Sequence, residues 1–586
     1  MKYKTGEFID FLLLKRVLGF TKPYYKQFIF GGASAIILAF LGPIRPILIN
    51  YAIDNCILIP NIDKLIDITI LLLILLFAEA IFQFYYIFLS TWLGQHVIKD
   101  LRGKIFRHIV SMRLRYFDNT PIGKLVTRAI SDIETIAAIF SDGLMVIIGD
   151  LLKLFVVVTL MIYTDWKLTC VSLLTLPILL IATVWFKRNI KIAFQQVRNR
   201  VSLINTFVQE HIVGMNIIQI FNREKAEYHK FKEINESHLQ AHLKSIFYYA
   251  VFFPIVEILS ASSIGLIVWY GGGSILAGND VSVGELIAFI LFIHMMFRPI
   301  RQLADRFNVL QMGVVGSERV FKILDTDEKI LDTGDKSTFI LDKSISFNDV
   351  SFYYKKQQWV LKDINFMIHA GRTLALVGET GSGKTTIINV LLRFYDIQKG
   401  DIKIDDVPIT KFQLDILRKN IGLIQQDIFL FSDSIINNVS LYDPKITKDD
   451  IIKAAKEIGI HSFISSLKGG YYHVVGERGS TISVGERQLI AFLRVYVREC
   501  KILILDEATS TIDSATEALL QNALEKVSVG RTTIIIAHRL STILHADKII
   551  YLNGGRVEEE GTHKELLKNE SAYAQMFNKQ MNFLYN

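Results

Sequence analysis

Six long apolar runs crowd the first half of this 586-residue chain, and no other feature narrows its possible folds as far. A helix rises 1.5 Å per residue, so about 20 apolar residues cross the ~30 Å hydrocarbon core of a bilayer. Inside that core every backbone N–H and C=O must be satisfied within the protein, which restricts such runs to helices. The runs cover residues 28–49, 66–89, 144–163, 168–186, 246–276 and 283–297, and the last continues in a helical pattern to 321. The first lacks a small-residue cleavage site and reads as a retained anchor. A short amphipathic helix over 8–20, followed by Pro23, precedes it.

The connections alternate in charge. The linker over 50–65 carries Asp54, Asp63 and only Lys64, and 271–285 carries no Lys or Arg. The two long connections are basic, with Lys99, Arg102, Lys104, Arg107 and Arg113 in one and Lys187, Arg188, Lys191, Arg198 and Arg200 in the other. The positive-inside rule therefore places both, and both chain ends, in the cytoplasm. The net charge of +8 has the same origin, and no basic helix or aromatic-basic array points to nucleic acid. Few glycines and almost no proline interrupt 95–135 and 187–245, so both predict helical extensions into the cytoplasm. Their tips are expected near 117–125, where Asp118, Asn119, Pro121 and Gly123 supply turn chemistry, and near 221–225. Cys56, Cys170 and Cys500 are far apart and suggest neither a disulfide framework nor a zinc site.

Residues 1–27 thus read as an N-terminal elbow, 28–321 as a six-helix transmembrane domain and 322–340 as a polar linker. From 341 to 586 strands alternate with helices, the pattern of an α/β domain. The apolar runs 374–377 and 502–505 read as buried parallel strands. After the first comes Gly378-Glu379-Thr380-Gly381-Ser382-Gly383-Lys384-Thr385-Thr386, which opens a helix. This is GxxxxGK[ST] in a strand–loop–helix setting, where backbone N–H groups cradle phosphates. Lys384 reaches the β- and γ-phosphates, and Thr385 offers a hydroxyl to Mg²⁺. The second run ends in Asp506-Glu507. Asp506 suits Mg²⁺ and Glu507 suits orienting a water, and phosphoryl transfer asks mainly for such positioning and charge.

With these motifs in order, the chain resembles ATP-binding-cassette transporters. In that resemblance Tyr354 is the aromatic that stacks on adenine. Gln426 senses Mg²⁺ and the membrane domain, Ser483 to Gln488 is the signature motif, Asp513 lies in the D-loop, and His538 contacts the γ-phosphate. The signature departs from the commoner Ser-Gly-Gly-Gln form, with Val484 and Glu486 where glycine and glutamine are usual, while Ser483 and Gly485 are kept. Phe117 to Leu125 is similar to the first cytoplasmic coupling region of exporters, and 474–479 to an exporter-specific loop that touches the partner. The resemblance implies a half transporter in a bacterial cytoplasmic membrane. It would bind ATP and Mg²⁺, pair with a second half as homodimer or heterodimer, and export an amphipathic drug, lipid or peptide. An importer on the same fold and an ATP-gated channel or regulator stay open at this point.

Ionisable groups inside spans are functional by default. Here they are Arg45, Glu79, Asp150, Lys153, Glu257, His294 and Arg298. Arg45 reads as able to snorkel to the outer surface. Asp150 and Lys153, three apart on one helix face, read as a pair. Glu79, Glu257 and Arg298 sit deeper, as cavity candidates or interhelix partners.

Overall fold

The computed structural model describes residues 11–278, 281–329, 332–506, 514–537, 543–568 and 571–585. The chain separates into two compact units: Ser111–Asn119 joins Glu328–Asn586 in the second, and the remainder up to Asp327 forms the first.

The first unit is helical throughout. It opens on α1 (Phe11–Leu18), whose Leu13, Leu14 and Val17 are buried. Arg16 on α1 donates two hydrogen bonds, of 2.7 and 2.6 Å, to the Asp325 carboxylate and lies 4.2 Å over the Phe321 ring. The elbow is thereby tied to the last residues of the unit. The spans are α2 (Tyr25–Ala52), α3 (Ile62–Val110), and, after α4 (Leu114–Asn119) of the second unit and the short segments α5 (Ile122–Ala129) and α6 (Ser131–Ala138), α7 (Leu144–Thr164). Then come α8 (Trp166–Leu173) with α9 (Leu176–Val213), the short α10 (Met215–Ile220), α11 (Glu224–Leu276) and α12 (Val283–Leu324). Six helical stretches among the described residues are long and apolar enough to cross a membrane.

Both extensions run on as helix past the apolar residues, α3 to Val110 and α9 to Val213. The first expected tip is corrected in detail. Asp118 and Asn119 do not turn the chain. They close α4, where the Asn119 amide donates to the Arg115 carbonyl at 2.8 Å, and the breaks fall at 111–113 and at 120–121 on either side. The second tip lies at Phe221–Arg223, between α10 and α11.

The second unit holds two sheets. One has the order β2-β1-β4-β5 and is antiparallel: β1 (Ser344–Tyr353), β2 (Trp359–His369), β4 (Lys399–Ile404) and β5 (Val407–Pro408). The other has the order β10-β9-β3-β8-β7-β6: β3 (Thr373–Gly378), β6 (Ile421–Ile424), β7 (Ile502–Asp506), β8 (Thr532–Ile536), β9 (Lys548–Asn553) and β10 (Arg556–Gly561). β3, β6, β7, β8 and β9 pair in parallel, and only β10 runs against them. Parallel sheets are covered on both faces, which accounts for the unbroken apolar reading of β3 and β7. Leu374 to Val377 and Ile502 to Leu505 are all buried.

Candidate nucleotide site and membrane polar groups

In open α/β sheets, ligands gather at the carboxyl ends of the parallel strands. Here Leu376 on β3 and Asp506 on β7 are both registered with Ile536 on β8. The end of β3 and the end of β7 therefore flank the end of β8. The loop from Gly378 leads from β3 into α13 (Lys384–Leu391).

Two glycines make this loop possible. A Cβ on Gly378 would lie 2.2 Å from the Leu552 carbonyl oxygen. Gly383, at φ 105°, would bring one within 2.8 Å of Leu361 Cδ2. The loop thus packs backbone against β9 and the β2 edge, and L side chains rarely adopt that φ. Lys384 is buried, and its ammonium donates to the carbonyls of Gly378 (2.7 Å) and Glu379 (2.8 Å). Burial pulls its pKa below the ordinary lysine value, and the Asp506 carboxylate opposes that shift. Ser382 Oγ is buried with no hydrogen-bond partner among the described residues. An orphaned hydroxyl costs about 1–3 kcal/mol, and a phosphate oxygen in the cradle would satisfy it. Glu379, Thr380, Gly381 and Thr385 are exposed at its mouth, and Thr386 is buried behind it.

Tyr354 is half-buried at the end of β1. Its hydroxyl meets Thr386 Oγ1 at 3.3 Å and accepts from the Asn389 amide at 3.2 Å, which fixes it against α13. Phe352 and Tyr395 stand edge-on to it, with centroids at 4.8 and 5.0 Å. Tyr395, absent from the sequence reading, also donates to the Asp118 carboxylate of α4. Burial, then that hydrogen bond, pushes its phenol pKa well up. No local motif marks Tyr395, because its partner is 277 residues away. Gln426 is exposed just past β6. Ser483 caps the helix Val484–Tyr496, and Gly485 is buried in that helix's first turn. Glu507, Asp513 and His538 lie outside the described residues.

Residues 28–300 match the ABC transporter transmembrane region, and residues 361–510 match the ABC transporter family. The chain is 36% identical to the uncharacterized ABC transporter ATP-binding protein YknV of Bacillus subtilis, over 95% of this chain and 93% of that one. The chain belongs to the ABC transporter family. It is 32% identical to an ATP-dependent lipid A-core flippase of Syntrophus aciditrophicus, over 96% and 93% of the two chains. A bacterial Atm1-family ABC exporter, solved with ATP bound, superposes with a TM-score of 0.76 at 25% identity, covering 95% of this chain and 98% of that one. This ABC transporter is an exporter-type half, with six apolar helices fused ahead of an ATPase domain coupled to transport.

The unusual residues in the stretch that resembles a signature motif have local explanations. The Ser483 hydroxyl accepts from the Glu486 amide at 3.2 Å, and the Glu486 carboxylate accepts from the Ser483 amide at 2.7 Å. This is a capping box. The Glu486 carboxylate is thereby turned back onto the backbone at the helix start. Val484 is 43% exposed, so its side chain points away from the packed core.

Two readings of the membrane charges also change. Arg45 has a partner within the helices: its guanidinium donates to Glu79 on α3. Lys153 is close by: a Cβ on Gly42, one turn before Arg45, would stand at ordinary contact distance from Lys153 Nζ (3.5 Å) and Glu79 Oε1 (3.6 Å). Asp150 and Lys153 make no ion pair among the described residues, and Asp150 Oδ2 is buried without a hydrogen-bond partner. Three residues apart they share a face, but the ammonium turns toward Gly42 and Glu79. His294 and Arg298 are exposed on α12 and Glu257 on α11.

Proposed function

We propose that this ABC transporter exports an amphipathic cargo by alternating access, as a dimer with a second half transporter. The observation that carries the reading is the phosphate cradle at the end of β3, fused in one chain to six spans and matched along nearly its whole length by exporters. In this reading Tyr354 stacks on adenine, and the loop from Gly378 to Thr386 with Lys384 holds the phosphates. Ser483 and Gly485 close the partner's site, helped by the positive end of a helix. Glu507 orients water, Asp513 and His538 complete the contacts, and Gln426 reports to the membrane domain. Thr385, Asp506 and Gln426 would hold Mg²⁺. The orphaned Ser382 hydroxyl and the inward ammonium of Lys384 fit a Mg–ATP polyphosphate. When bound, the ion neutralises charge on the phosphate oxygens.

The test is reconstitution in vesicles, with the ATPase domain facing out and a membrane-partitioning dye as cargo. ATP should drive the dye from the ATPase side to the other, and Glu507→Gln should stop it. Movement in the opposite direction would identify an importer. ATP turnover without movement of any cargo would favour a channel or regulator.

A further inference from the structure

Beyond the apolar runs, α9 and α11 present two cations to one groove. Arg200 on α9 and Lys244 on α11 are exposed, and neither makes a hydrogen bond or ion pair among the described residues. Both line a groove of about 510 Å³ between the two helices. That volume lies in the range of small-molecule sites, roughly 300–1,000 Å³. Each helix contributes residues at i, i+3, i+4 and i+7, from Gln196 on α9 and from Ser237 on α11, so one face of each forms a wall. Packed helices usually meet through apolar stripes. Here only Leu203 and Ala241 are apolar.

The two helices run in opposite directions, and the stack of Phe186 on Phe252, with centroids 4.1 Å apart, sets their register. At 1.5 Å per residue, Arg200 is then level with about residue 238, and Lys244 lies about 9 Å nearer the apolar runs. Helical side chains lean toward their own N-terminus. Arg200 therefore leans up the groove and Lys244 down it, and the two charges converge. No Asp or Glu occurs over 187–209 on α9 or over 237–256 on α11. Glu236, just outside, accepts from the Gln240 amide at 2.8 Å. Asn199 Oδ1 accepts from the Gln195 amide at 3.2 Å, which leaves its own NH₂ group as a donor. The groove is thus rich in donors and cations. Its complement is a ligand with anionic ends that each offer several acceptor oxygens, and a phosphate group carries three.

We propose that this groove binds a small organic phosphate with two anionic ends, which bridges α9 and α11 beyond the apolar runs. The site is separate from the nucleotide cradle, and the proposal does not depend on the direction of transport. The probe is fructose 1,6-bisphosphate, titrated by calorimetry into the purified full chain in detergent without nucleotide. Lys384→Ala is present throughout, so that the cradle does not take the phosphates. Arg200→Gln and Lys244→Gln should each weaken binding about tenfold, the equivalent of roughly 1.4 kcal/mol. Both replace exposed side chains, so the fold is kept. Arg188 lies about 18 Å up α9 from Arg200, more than a Debye length at physiological salt. Arg188→Gln should therefore change the affinity less than about twofold. Uncharged fructose should not bind, and bound bisphosphate should slow amide exchange over 196–203 and 237–244. A cardiolipin headgroup also carries two phosphates, so the titration is repeated in nanodiscs with and without cardiolipin. Loss of bisphosphate binding in cardiolipin, with the same two segments protected, would assign the groove to the headgroup. Equal binding in both nanodiscs would assign it to a soluble phosphate. No saturable bisphosphate binding in detergent would overturn the proposal. So would unchanged affinity in both groove variants, or a loss in Arg188→Gln as large as in Arg200→Gln, which would mean attraction by bulk charge.

Discussion

At the scale of single residues, Glu486 separates what a motif demands from what a helix start demands. Its carboxylate closes a capping box on Ser483. Glutamine also closes such a box, whereas alanine cannot. Glu486→Gln should therefore leave the thermal unfolding of the ATPase domain within about 1 °C. Glu486→Ala should lower it by roughly 2–4 °C, the equivalent of about 1 kcal/mol in a domain of this size, in a calorimetric scan. Asp405 gives a pH-dependent counterpart. Its carboxylate accepts from the amides of Asp342 (2.6 Å), Lys343 (2.8 Å) and Ser344 (2.9 Å), where the linker enters β1. Burial raises its pKa, but the three amides outweigh that and hold it below the usual aspartate value. A group depressed in the fold stabilises fully above its unfolded pKa, and that stability is lost as pH falls through the folded one. Unfolding midpoints between pH 7 and pH 3 should thus fall less steeply in Asp405→Asn than in the parent, from a lower starting value at pH 7.

At the scale of elements, what the sequence revealed followed from local physics. The six spans were legible because hydrocarbon thickness sets their length, and the extensions of α3 and α9 because nothing in 95–110 or 187–213 breaks a helix. The cradle was legible because its glycines and Lys384 lie within seven residues. The Arg45–Glu79 pair and the Tyr395–Asp118 contact were not, because each depends on where segments far apart in sequence place side chains. The start of α12 is another such junction. Ser282 and Glu285 form a visible capping box, yet the cap is completed from α2's end. Asp54 accepts from the Ser282 hydroxyl at 2.5 Å and from the Gly284 amide at 2.9 Å. Gly284 is required there, because a Cβ would lie 2.5 Å from the Asn50 carbonyl oxygen. Asp54→Ala should loosen this junction by about 1 kcal/mol, so amides over 283–286 should exchange roughly fivefold faster. Exchange at the parent rate would mean that the box alone holds the helix start.

At the scale of the whole molecule, the proposed motor needs two chains, because the cradle of one is closed by the signature of the other. Symmetric assembly makes this arrangement countable. Lys384→Ala spoils a cradle and Gly485→Asp spoils a signature, so a dimer of either variant alone contains no intact site. In a mixed dimer, one site takes both lesions and the other takes none. Random pairing of equal amounts makes half of the dimers mixed, each with one good site of two. The mixture should thus recover about a quarter of the parent ATPase rate if the sites turn over independently, while each variant alone stays near background. Gly485 is buried in the first turn of its helix, so the Asp variant is first checked for an unchanged unfolding temperature. Recovery would establish that two copies of this chain share their ATP sites, with Val484 and Glu486 in a working signature. No recovery, from variants that fold and exchange subunits, would instead point to a different half transporter as the partner.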